Sequence, residues 1–138
     1  MKVQPYLFFD GRCEEAIEFY KSVLGGEVTF LMRYKDRPDS SQGGEVPEEY
    51  GGKVMHANLQ IGSMSVMAAD DCTGRSKSFQ GFSLSVDVKD KEEGARVFSG
   101  LSEGGRVVVE FGETFFSPGF GMLVDRFDVS WMVVTPQN

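Results

Sequence analysis

Read as apolar and polar positions, the chain is a series of short extended segments interrupted by two stretches of helical period. Residues 3–9 end in an apolar run closed by Asp10-Gly11, which predicts a strand. Cys13, Ala16, Ile17, Tyr20 and Leu24 then recur on one face at helical spacing. Glu14, Glu15 and Glu18 occupy the electropositive start of that helix, and Gly25-Gly26 stops it. Val28 to Tyr34 predicts a second strand. Residues 35–53, with two prolines and several glycines, predict a long excursion loop. Val54 to Ile61 and Met64 to Ala69 flank Gly62-Ser63 and predict a hairpin, followed by a polar linker over 70–80.

The second half repeats this plan. Phe82 to Val88 predicts a strand, Asp90 with Glu93 is close to a capping box, and Gly94, Val97, Phe98 and Leu101 keep helical spacing up to Gly104-Gly105. Arg106 to Phe111, Phe120 to Val124 and Ser130 to Val134 supply three further strands. Glu14-Glu15 matches Glu92-Glu93 (92 − 14 = 78), Tyr20 matches Phe98 (98 − 20 = 78), and Gly25-Gly26 matches Gly104-Gly105 (104 − 25 = 79). Two copies at this spacing mark a duplicated supersecondary unit rather than a solenoid. The expected fold is therefore α+β: two βαβββ modules, about 1–70 and about 80–138, forming a curved mixed sheet around a cleft with the helices outside. At 138 residues the chain is expected to be a single domain.

Alternation assigns the sheet faces. Met55, Ala57, Leu59 and Ile61 oppose His56, Asn58 and Gln60; Phe82, Leu84, Val86 and Val88 oppose Ser83, Ser85 and Asp87. The apolar sides are expected to pack on the helices and the polar sides to line the cleft. Arg33, opposite in parity to Phe30, Met32 and Tyr34, is expected to join them.

Composition narrows the function classes. A net charge of −7 opposes nucleic acid or an anionic membrane as partner, and no apolar run reaches membrane-spanning length. Cys13 and Cys72 have no metal-ligand spacing and are expected to be free thiols in a reducing cytoplasm.

The segments PYLFFDGRCEEAIEFYKSVLGGEV, MHANLQIG, MSVMAAD, GFSLSVDV and GFGMLVDRFDVSWMV, in this order over nearly the whole chain, resemble the PhnB-like branch of the vicinal-oxygen-chelate (glyoxalase/bleomycin resistance/dioxygenase) superfamily. The resemblance implies paired βαβββ modules and a homodimer, with modules swapped between subunits as one option. Some members of the branch carry the label 3-demethylubiquinone methyltransferase, yet the chain has no glycine-rich strand–turn–helix signature for S-adenosylmethionine. The superfamily's enzymes hold one divalent ion with His and Glu ligands on four strands. By motif those places fall at Pro5, Ser83, Met132 and near Met67. Proline and methionine supply no hard oxygen or imidazole, and serine is a poor ligand. No cofactor is expected and the ion is disfavoured. A site rebuilt around His56, the only histidine, would need partners that no motif identifies.

The remaining candidates keep two roles open. His56 serves as general base or ligand-orienting donor, or as a structural histidine. Phe115, Phe116, Phe120 and Trp131 wall an apolar pocket, or belong to core or interface. Asp70-Asp71-Cys72 marks a cleft rim or a solvated turn; Arg126 binds an anion or a structural partner; Pro47 to Tyr50 covers the cleft or docks on a second subunit, or else is plain surface loop. The leading expectation is a metal-independent small-molecule-binding protein whose ligand meets Arg33, Asn58, Ser83, Ser85, Phe115, Trp131 and Met132. The alternatives are a metal-dependent lyase, isomerase or dioxygenase of the glyoxalase type using His56, and a bleomycin-type drug-sequestering protein.

Overall fold

The computed structural model describes residues 1–37, 46–73 and 78–137. The chain divides into two compact units, Met1–Lys77 and Ser78–Asn138. The first holds β1 (Tyr6–Phe9), α1 (Cys13–Leu24), β2 (Glu27–Arg33), β3 (Val54–Ile61) and β4 (Met64–Asp70). The second holds β5 (Leu84–Asp87), α2 (Lys91–Ser102), β6 (Arg106–Gly112), β7 (Phe120–Val124) and β8 (Ser130–Val134). Each unit has its own open four-stranded sheet, ordered β1-β4-β3-β2 and β5-β8-β7-β6. In both, the first strand lies parallel to the last and the other pairings are antiparallel. The duplicated βαβββ plan is thus present strand for strand.

Each sheet buries one face under its helix. In the first unit Leu7, Phe9, Ala57, Leu59 and Ala68 pack with Ala16, Ile17 and Tyr20 of α1; in the second, Leu123, Trp131 and Val133 pack with Val97, Phe98 and Leu101 of α2. The apolar parity read from β3 is therefore the core parity at Ala57 and Leu59.

The two helices solve the same capping problem differently. Asp90 accepts the Glu93 N–H at 2.8 Å, while the Glu93 carboxylate accepts the Lys89 N–H at 3.2 Å, a reciprocal pair set one residue before the usual capping box. Helix α1 has no side-chain cap at Arg12. Its first N–H, on Cys13, is instead bonded at 2.9 Å by Asp70, from the far end of β4. The other Asp70 oxygen accepts the Val54 N–H at 2.9 Å, and the Asp70 carbonyl accepts the Tyr34 hydroxyl at 2.6 Å. Asp70 is 1% exposed. The expected solvated turn begins only at Asp71, whose carboxylate accepts both the Thr73 N–H and hydroxyl. Gly25, with φ of 76°, ends α1 in the left-handed conformation that favours glycine.

Three expectations shift. Strand β5 begins at Leu84, so Phe82 and Ser83 precede it. The excursion loop contains short 3-10 turns at Tyr34–Asp36 and Glu48–Tyr50, with residues 38–45 outside the described set. Strand β2 carries irregularities between Val28 and Phe30 and between Met32 and Arg33. The first places an extra residue, Thr29, in β2 and reverses its parity, whereas the second places one, Met55, in β3. Phe30 and Met32 therefore pair with Asn58 and His56 on the open face, and Arg33 returns to the helix side. There it makes a two-point ion pair with Glu14 at 2.7 and 3.0 Å and donates to the Gly52 carbonyl. Glu14 is half-exposed, so the pair contributes under about 1 kcal/mol.

Candidate functional site

In the first unit the sheet face turned away from α1 carries a row of rings. Phe8 and Tyr6 stack at 4.7 Å, Tyr6 meets His56 at 5.4 Å, and His56 meets Phe30 at 5.6 Å. Tyr6 and His56 lie on strands separated by β4, yet the Tyr6 hydroxyl and His56 Nδ1 are 2.8 Å apart. A small residue on β4 makes this reach feasible: Ala69, which pairs with Phe8, lies on the same open face. Met67 pairs with Tyr6 and Asn58 in the same row, and Met32 pairs with His56. Phe8 and Phe30 are each 46% exposed. Burial holds the Tyr6 hydroxyl above its ordinary titration range, so it is a protonated phenol at neutral pH.

Asn58 is engaged at the edge of this row. Its amide donates to Thr29 Oγ1 at 2.6 Å, while Gln60 accepts the Ser65 hydroxyl at 2.7 Å. Among the described residues no group hydrogen-bonds His56 Nε2. The row can therefore stack flat apolar matter and offer one polar contact.

The open face of the second unit is plainer. Ser85 pairs with Met132, which pairs with Met122. The Ser83 and Ser130 hydroxyls bond each other at 2.6 Å. Phe115 is almost fully exposed in the β6–β7 connection and meets Phe116 edge-on at 5.1 Å, as Phe116 meets Phe120 at 5.0 Å. Trp131 takes the core role of the two left open for it. It is 3% exposed on the helix side, and its indole N–H donates to Asp125 at 2.8 Å. Arg126 donates to the Glu103 carbonyl at 3.1 Å, a structural contact. Thus His56 and Asn58 share the first unit's open face, and Ser83, Ser85 and Met132 belong to the second. Arg33 stands with α1. Tyr6, Phe8 and Phe30 were absent from the expected site. The strict alternation of β1 could have placed the first two, whereas the bulge at Thr29 of β2 hid Phe30.

The divalent ion of the superfamily's enzymes finds no suitable donors at the matched positions. The Pro5 carbonyl is taken by the Met67 N–H at 3.0 Å, Ser83 is paired with Ser130, and Met67 and Met132 offer only soft thioethers. Among the described residues there is no group of three or more His, Cys, Asp or Glu placed to hold a metal ion.

A pocket of about 240 Å³ lies at the start of α1, lined by Gly11, Glu14, Glu49, Lys53 and Asp70 among others. Lys53 already donates to the Gly11 carbonyl at 2.9 Å. Beneath it Cys13 is fully buried, and burial, reinforced by Asp70 and Glu14, pushes its thiol far above the usual range. Both cysteines are free, and Cys72 is half-buried. Iodoacetamide at pH 8 is expected to label one thiol per native chain and two in urea. Mass mapping that found Cys13 modified as fast as Cys72 would contradict this burial.

Duplicated βαβββ units with a helix on one face of each sheet define the glyoxalase/bleomycin resistance fold class. A domain of that description from Frankia sp. superposes with a TM-score of 0.70 at 13% identity, covering 99% of this chain and 98% of that one. Within the class the chain belongs to the family described as 3-demethylubiquinone-9 3-methyltransferase, whose model matches residues 1–134, and it is a PhnB-like member of the superfamily. Protein YjdN of Escherichia coli K12 is 33% identical over 96% of this chain and 94% of its own length. Protein PA1353 of Pseudomonas aeruginosa superposes with a TM-score of 0.88 at 37% identity, covering 100% and 99% of the two chains. The PhnB protein of Bacillus cereus does so with 0.82 at 29% identity, covering 98% and 99%. Methyl transfer in the family's description calls for S-adenosylmethionine, which this chain does not suit. The β1–α1 turn has a single glycine, Gly11, and the β5–α2 turn has none. Among the described residues, the one parallel pair in each sheet joins the first strand to the last. No helix among the described residues is long and apolar enough to cross a membrane.

Proposed function

We propose that the chain binds a small, flat, largely apolar molecule on the open face of its first sheet, without a divalent ion. The observation that carries this reading is the exposed Phe8 and Phe30 flanking the Tyr6–His56 pair. Exposed rings in a row retain stacking capacity that water does not satisfy. The surrounding thioethers of Met32 and Met67 adapt to ligand shape. Asn58 borders this face, and Ser85 and Met132 are kept separately as proposed ligand contacts on the second unit's own open face. Cytoplasmic location and pairing with a second copy of the chain belong to the same proposal on family resemblance.

The test is a calorimetric or fluorescence titration of EDTA-dialysed protein with 2-ethylnaphthalene. Saturable one-site binding is expected. Phe8→Ala and Phe30→Ala should each weaken it about 2- to 10-fold, the range of one aromatic contact. Absence of binding, or binding that both alanine variants leave untouched, defeats the proposal. Circular dichroism of the variants separates lost binding from lost fold.

A further inference from the structure

We propose that the ligand of this face is a planar aromatic molecule bearing a carbonyl-type acceptor at its edge, and that His56 selects it through an Nε2–H donor oriented by Tyr6. The inference rests on the preceding reading and adds to it the polar half of the ligand.

One hydrogen bond, with two possible directions, sets the tautomer of His56. Tyr6 and His56 Nδ1 are 2.8 Å apart, and the shared proton belongs either to the phenol or to the ring nitrogen. A phenol is a good donor, and its oxygen is a weak acceptor because its lone pair is delocalised into the ring. A bare imidazole nitrogen is a strong acceptor. A tyrosine phenol is protonated at neutral pH, and burial only opposes its ionisation further. Donation from Tyr6 to Nδ1 is therefore the better arrangement. It leaves the neutral imidazole with its single proton on Nε2.

That second nitrogen has no hydrogen-bond partner among the described residues. The groups near it are the rings of Tyr6 and Phe30, on either side of the imidazole. A ligand stacked on those rings meets one fixed donor and little else that is polar. Asn58, at the edge of the row, gives an amide N–H to Thr29, and the Tyr6 proton is spent on Nδ1. A carbonyl, carboxylate or quinone oxygen on the rim of a flat ring system complements this arrangement. A ligand whose rim offers only donors does not, because it leaves the Nε2–H facing another N–H or O–H.

The experiment compares 2-acetylnaphthalene with 2-ethylnaphthalene, which match in size and differ in the acceptor. Wild-type protein is expected to bind the acetyl compound about 2- to 10-fold more tightly, the range of one net hydrogen bond. His56→Phe should bring the ratio to about one. His56→Gln, which keeps a donor, should hold part of it, and Tyr6→Phe should lower it by freeing the tautomer. Because the chain has a single histidine, long-range proton–nitrogen NMR reads that tautomer directly in wild-type protein. A protonated Nε2 and a bare Nδ1 are expected. Equal affinities in the wild type, an unchanged ratio in His56→Phe, or a dominant Nδ1–H form each overturn the inference while leaving aromatic binding intact. Binding of neither naphthalene removes the underlying reading and this inference with it.

Discussion

Replacing Asp125 by asparagine is expected to lower stability by about 2–4 kcal/mol, although the two side chains have the same shape. Asp125 is 3% exposed and accepts three hydrogen bonds: from the Phe127 N–H at 2.8 Å, the Val129 N–H at 3.0 Å and the Trp131 indole at 2.8 Å. The donors are divided between the two oxygens, Oδ1 taking the backbone pair and Oδ2 the indole. An amide has one oxygen and one NH2, so either orientation turns a donor against a donor in a buried site. The loss of charge also weakens each surviving bond, since bonds to a carboxylate are about twice as strong as neutral ones. The measurement is urea unfolding followed by far-UV circular dichroism, which reads all the variants alike. A double-mutant cycle with Trp131→Phe isolates the clash. Removing the indole N–H should relieve about 1–2 kcal/mol of the asparagine cost. Strictly additive costs would show that Asp125 and Trp131 are not coupled in this way.

Replacing Asp70 by alanine should cost about 3–4 kcal/mol, most of it in the first unit. Its two oxygens bind the Cys13 N–H and the Val54 N–H, both buried. Its negative charge also lies against the positive end of α1, where a carboxylate contributes up to about 2 kcal/mol in partly buried settings. Arg12, which stands at the cap position, provides no side-chain substitute. Asp70→Asn keeps one acceptor oxygen but turns its NH2 against the other buried N–H, as at Asp125, and should cost about 2–4 kcal/mol. Native-state hydrogen exchange is the informative measurement, with first-turn amides of α1 losing protection before those of α2. Equal loss in the two helices would refute a local role for Asp70.

The repeat, both helices, the β3–β4 hairpin and the core parity of Ala57 and Leu59 were legible because each rests on local chemistry. Helix period, glycine stops and the turn at Gly62-Ser63 act within a few residues of the chain. The route taken by Arg33 was not legible, since bulges depend on how β2 pairs with β3 rather than on its own composition. Trp131 was ambiguous for a similar reason: an indole fits a pocket wall or a core until the acceptor of its N–H is known. Asp70 resembled an ordinary hairpin exit, because its partners are 57 and 16 residues away in sequence. Of the candidate site, His56 and Asn58 were placed by alternation. The Tyr6 contact that gives His56 its direction crosses an intervening strand, and no short-range pattern encodes it.

The unlike caps of the two helices imply unlike folding orders. Helix α2 carries its cap at Asp90, next to its own first turn, and can gain that contact as soon as the turn forms. Helix α1 must wait for β4 to arrive before its first N–H finds Asp70, closing a loop of more than fifty residues. Duplication copied the architecture of the unit but not its kinetics: one half can nucleate from a local signal, and the other depends on its sheet being assembled first.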